Sequence, residues 1–105
     1  MPDFMFAYHG GGGMPATKEE GEKMMAAWNA WFGSMGTAVV DGGRPVGKSS
    51  TVSKSGVTGN GGANPISGYS IIRAKDLAAA TEMAKGCPLV KSGNGTVEVA
   101  EAIAM

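Results

Sequence analysis

The sequence predicts an α+β sandwich, an antiparallel sheet with two helices on one face. Three observations carry that prediction. Short extended segments of alternating or continuous apolar character recur along the chain, at 3–9, 37–41, 68–74 and 96–103. Two helical segments lie among them, and each crosses from one strand to a later one. The chain has 105 residues, enough for a single core, so residues 1–105 are expected to form one domain.

The first strand, Asp3 to His9, sends Phe4, Phe6 and Tyr8 to one face and Met5, Ala7 and His9 to the other. Both faces are largely apolar, the mark of a central strand. A loop follows from Gly10 to Pro15. Thr17-Lys18-Glu19-Glu20 has capping-box spacing, in which the Thr17 hydroxyl accepts from the Glu20 amide and the Glu20 carboxylate reaches back. The helix it opens carries Met24, Trp28, Trp31 and Met35 at i, i+4, i+7 and i+11, a stripe expected to face the core. Gly33 and Gly36 mark its end.

Thr37 to Asp41 reads as the second strand and Asp41-Gly42-Gly43-Arg44-Pro45 as a turn. Ser49 to Lys54 reads as a polar edge strand, and Ser55 to Ser67 as a long loop of Gly, Asn and Ser. Gly68 to Ala74 is a strong strand. Asp76 is placed to cap an alanine-rich helix from Leu77 to Lys85, which Gly86 stops and Pro88 prevents from resuming. A turn at Gly93 to Gly95 leads to the last strand, Thr96 to Ile103. The order β-α-β-β-β-α-β implies a ferredoxin-like sandwich with one additional edge strand.

Composition narrows the function. Nine Lys and Arg balance nine Asp and Glu, so no positive field gathers a phosphate backbone, and no nucleic-acid partner is expected. No apolar run approaches the roughly 20 residues of a membrane span, so no membrane partner is expected either. The first residues lack a basic segment followed by a long hydrophobic one, so export is not signalled. The lone Cys87 cannot form an intrachain disulfide, which points to a reducing cytoplasm. It reads as a small buried residue rather than a reactive thiol. With one His and no Cys pair, neither a metal nor another cofactor is implied. A chain of this length struggles to cover both faces of its sheet, leaving an apolar face for a second subunit.

His9 is the sole histidine, and it ends an apolar strand just before four glycines. An imidazole there would sit at the rim of a cavity between the sheet and the loops Gly10 to Pro15 and Gly42 to Gly47. If the first two strands are neighbours, Asp41 emerges beside His9, and a carboxylate next to an imidazole makes a general base. Glu98 interrupts the apolar final strand and is the candidate second acid/base group. Arg73 is read as a strand-end residue. Ser49, Ser50 and Thr51 have no nucleophile elbow around them. Gly47-Lys48-Ser49 lacks the upstream glycine and the following helix of a P-loop, so nucleotide binding is not expected.

Several of these pieces together resemble the YCII-related (DGPF) domain family: Tyr8-His9-Gly10, Trp28 to Trp31, Asp41-Gly42-Gly43-Arg44-Pro45, Thr51-Val52, Gly68-Tyr69-Ser70-Ile71-Ile72, Ala84-Lys85-Gly86-Cys87-Pro88 and Val97-Glu98-Val99. The resemblance runs over nearly the whole chain. It implies a ferredoxin-like fold paired as a homodimer, a dimeric α+β barrel, with a suggested active-site histidine and aspartate matched here by His9 and Asp41. The Asp-Gly-Pro-Phe tetrapeptide itself is absent, with Asn64-Pro65-Ile66-Ser67 in its place.

The functional expectation is proton transfer or elimination on a small organic acid or cyclic metabolite. In it His9 is the base, Asp41 its orienter and Glu98 a proton donor. The alternative is a non-catalytic metabolite-binding or accessory module.

Overall fold

In the computed structural model, which describes residues 1–11, 17–62 and 64–104, one four-stranded sheet carries the architecture. Its strands are β1 (Asp3–Gly10), β2 (Val39–Asp41), β5 (Ile66–Arg73) and β6 (Gly95–Glu101), in the order β2-β5-β1-β6. Every neighbouring pair is antiparallel. Strands β3 (Thr51–Ser53) and β4 (Gly56–Thr58) form a separate hairpin. Helices α1 (Lys18–Met35) and α2 (Leu77–Ala84) and the short α3 (Pro88–Lys91) complete the α+β fold.

Cross-strand register explains the two faces. Phe4 pairs with Ile72, Phe6 with Ser70 and Val99, and Tyr8 with Gly68 and Val97, so these residues share one face. That face is the core: Phe6 and Ile72 are wholly buried, Phe4 nearly so. Fully burying side chains of this size stabilises the fold by roughly 1.5–3 kcal/mol each. The helices pack onto it. Trp31 of α1 stacks on Phe6 at 6.1 Å between ring centroids. Its indole Nε1 donates to the Met83 carbonyl at 3.0 Å, which ties α1 to α2. Trp28 meets Tyr8 edge-on at 5.1 Å.

The opposite face carries Met5, Ala7, His9, Tyr69, Ile71, Glu98 and Ala100, and none of the helices described covers it. Met5 is 39% exposed there. The molecule is accordingly a thin slab, 43 × 43 × 20 Å.

Local signals explain the helices. Thr17 Oγ1 accepts from the Glu20 amide at 3.1 Å, as the capping-box spacing predicts. Asp76 Oδ1 accepts from the Ala79 amide at 2.8 Å and starts α2. The expected core stripe on α1 is only partly realised. Trp31 is buried and Trp28, Phe32 and Met35 pack against the core, but Met24 is 43% exposed. Among the described residues, the apolar side chains in the first turns of α1 remain largely exposed, Met25 at 61%.

Four expectations require correction. Thr37 and Ala38 form a 3-10 turn (Gly36–Ala38), so the second strand begins only at Val39. The expected edge strand does not join the main sheet: it is β3, paired with β4 inside the segment expected to be a loop. Pro88 does not end helical structure but opens α3 at its first position, where its missing N–H costs no hydrogen bond. The last strand runs Gly95–Glu101, shorter at its end than expected.

Candidate functional site

His9 lies at the irregular end of β1. Tyr8 pairs with Gly68, but His9 pairs with Ile66, so β5 holds one extra residue, Ser67, at a bulge. The Ser67 carbonyl accepts from the Val46 amide at 3.0 Å, while Asn64 and Pro65 curl towards the histidine ring. A bulge of this kind re-aims the backbone next to a side chain. Here it brings two carbonyls onto one imidazole nitrogen.

The ring is only 12% exposed and faces oxygen acceptors on both sides. Nδ1 lies 3.0 Å from the Asn64 carbonyl and 3.3 Å from that of Pro65. Nε2 lies 3.1 Å from Glu98 Oε1. Carbonyls accept only, so the tautomer follows from the contacts: Nδ1 carries a proton and donates. The Nε2–Oε1 contact then needs a proton of its own, resident on the imidazolium or on the carboxyl. The Glu98 side chain is 71% exposed.

Asp41 does not belong to this pair. Strand β5 separates β2 from β1, and Asp41 pairs with Ile71, five positions along β5 from the Ile66 that faces His9. At about 3.4 Å per residue that offset is roughly 17 Å. Asp41 Oδ1 instead accepts from the Gly43 amide at 2.8 Å, closing the turn after β2. Gly43 itself sits at φ +71°, where a Cβ would fall 1.7 Å from the Tyr69 carbonyl oxygen, so the turn needs a glycine. His9 thus meets Glu98 rather than Asp41, and two main-chain carbonyls contact the ring nitrogen where the Asp41 carboxylate was expected. No side-chain signal in the sequence announces a carbonyl. The one hint is that Asn64-Pro65-Ile66-Ser67, where the chain departs from the resembled tetrapeptide, is the segment that embraces the ring.

A cavity was expected between the sheet and the loops Gly10 to Pro15 and Gly42 to Gly47. Residues 12–15 of the loop that was to form one wall lie outside the described residues. Among the described residues, a cavity of about 210 Å³ opens between Gly47–Ser49, Gly59–Gly61 and Pro65–Ile66. It adjoins the histidine through Pro65, whose carbonyl lies 3.3 Å from Nδ1, and through Ile66, the cross-strand partner of His9. A larger hollow, about 570 Å³, lies at the other end of the sheet among Met35, Ala38, Arg73, Lys75 and Met83. Arg73 there is paired with Asp3 at 3.0 Å, at the strand end where it was expected.

The remaining polar core is structural. Tyr8 OH donates to Ser70 Oγ at 2.7 Å, and Ser70 Oγ donates to the Gly42 carbonyl at 2.7 Å. Burial pushes the Tyr8 phenol up to about 12, outweighing the hydrogen bond to Ser70 that acts the other way. Cys87 is wholly buried, and burial likewise raises its thiol, which keeps it protonated and unreactive. Among the described residues, no three His, Cys, Asp or Glu side chains gather as a metal site, and no helix is long and apolar enough to cross a membrane.

Comparison with known proteins gave no match: no family model fits the chain, and no curated protein or solved structure is significantly similar to it.

Proposed function

We propose that this protein is a small proton-transfer enzyme acting on a compact organic acid or cyclic metabolite, with His9 and Glu98 as its acid/base pair. The observation that carries the reading is the His9 ring, largely shielded from water and fixed by the Asn64 and Pro65 carbonyls on one side, with a solvent-exposed carboxylate on the other. Nδ1–H anchors the ring. With the shared proton on the Glu98 carboxyl, neutral Nε2 takes a proton from a carbon acid, and Glu98 gives its own proton to another carbon of the product or to the leaving group. Neither step calls on a cofactor.

The strand order β2-β5-β1-β6 supports a ferredoxin-like sandwich, since the two halves of each βαβ unit are split by one intervening strand. The uncovered face with Met5, Tyr69 and Ile71 supports a homodimer joined sheet to sheet, as the YCII-related resemblance implies. The unpaired Cys87 supports a cytoplasmic setting.

The test needs no prior substrate. Small keto, hydroxy and unsaturated acids are incubated with the protein in D2O, and loss of carbon-bound proton signals is followed by NMR. Exchange is expected with the wild type and is expected to fall at least 100-fold in His9→Gln and Glu98→Gln. Equal exchange in the wild type and both variants would remove the pair from the chemistry. Absence of exchange together with ligand binding would favour the non-catalytic module, a reading to which the engagement of both His9 nitrogens also lends weight.

A further inference from the structure

The hairpin β3–β4 has an apolar side that its own subunit leaves uncovered. Val52 and Val57 face each other across it, 75% and 71% exposed. Among the described residues, no other strand or helix packs extensively against it. A two-stranded hairpin alone in water is marginal and becomes stable when its apolar side is packed. Adjacent uncovered valines on such an element mark a contact surface. The charge of this stretch is one-sided. From Gly42 to Lys75 the chain holds Arg44, Lys48, Lys54, Arg73 and Lys75 and no Asp or Glu. Lys54 occupies the two-residue turn at the hairpin tip, between Ser53 and Gly56, and forms no ion pair among the described residues. The sheet face without a helix has the complementary character. Met5 pairs with Ile71 on one side and Ala100 on the other, an apolar row across its middle. Glu98 and Asp41 share that face through their pairing with Ala7 and Ile71, and both stand exposed on its two edge strands.

We infer that the hairpin is a docking arm for a second copy of this chain. In the homodimer it reaches onto the partner's sheet face, with Val52 and Val57 against the apolar row and the Lys54 ammonium against the carboxylates at the rim. The occupant is a second copy because one chain carries both halves of the contact, a cationic hairpin with an apolar side and an apolar face with an acidic rim. A two-fold axis then makes the same contact twice. The valines supply the burial, and the opposite charges fix register and orientation. The inference rests on the homodimer proposed above and is independent of proton transfer.

The experiment joins sedimentation velocity to carbodiimide cross-linking of dimers mixed from unlabelled and ¹⁵N-labelled protein, in which only links between copies join light peptides to heavy ones. The wild type is expected to sediment as a dimer. The double variant Val52→Ser, Val57→Ser is expected to raise its dissociation constant roughly tenfold or more, with helical circular dichroism unchanged, and Val52→Ile, Val57→Ile to preserve it. Lys54→Glu is expected to weaken the dimer more at low salt than at high salt. Cross-linking is expected to join Lys54 to the partner's Glu98 or the partner's Asp41. A monomeric wild type removes the homodimer and the arm together. A dimer that the double serine variant leaves unchanged, or in which Lys54 forms no link to either of those carboxylates across copies, overturns the arm and leaves the homodimer standing.

Discussion

Tyr8 illustrates how much a single buried residue contributes. Its ring closes the aromatic cluster with Trp28 and Trp31, and its hydroxyl begins the chain through Ser70 to the Gly42 carbonyl that holds the turn after β2. The phenol titrates near 10.0 when unfolded and at about 12 when folded, so folding favours its neutral form. That contribution is fully present below pH 10 and is lost as pH rises from 10 towards 12, about 2–3 kcal/mol in all. Urea midpoints measured from pH 8 to pH 11.5 are expected to fall, and to fall less steeply in Tyr8→Phe. Tyr8→Phe is expected to cost about 1 kcal/mol at neutral pH, since Ser70 keeps its donation to Gly42.

At the scale of elements, the short helix α2 depends on its cap. Eight residues do not sustain a helix alone, and an interior of small alanines contributes little burial beyond Ala80 and Ala84. Asp76→Ala is expected to lower stability by about 1 kcal/mol in urea denaturation, with the loss of the Ala79 amide's partner. Asp76→Ser should recover most of it. The hairpin β3–β4 follows a different logic. Val52 and Val57 sit opposite each other yet are 75% and 71% exposed, so the hairpin is held by its own hydrogen bonds rather than by the core. A sequence with valines at both positions reads as strand in either case, but nothing local says that the pair stands apart from the main sheet. The expected edge strand therefore formed in about the right place and joined the wrong partner.

Over the whole molecule, helices pack one sheet face, while among the described residues no helix covers the other. The proposed homodimer buries the open face, and its test is a single reversal of polarity at the centre. Met5→Lys is expected to convert the protein to monomers in sedimentation velocity at micromolar concentration, while helical circular dichroism is retained, because Met5 contributes nothing to the packed face. A wild type that sediments as a monomer would remove the dimer proposal and leave the fold intact.

Period-2 alternation in Phe4-Met5-Phe6-Ala7-Tyr8, the Thr17 and Asp76 caps, and the Trp28–Trp31 spacing determined β1, the helices α1 and α2, and the face of β1 that forms the core. These are short-range preferences, written within a few residues of where they act. Only the tertiary structure decided which strands are neighbours, and with that which carboxylate meets His9. Inserting β5 between β1 and β2 carries Asp41 away, pairing β6 with β1 brings Glu98 in, and a bulge at Ser67 turns two carbonyls onto the ring. Strand order and bulges are set by the competition of long-range pairings for one buried surface, and no stretch of residues holds that outcome by itself.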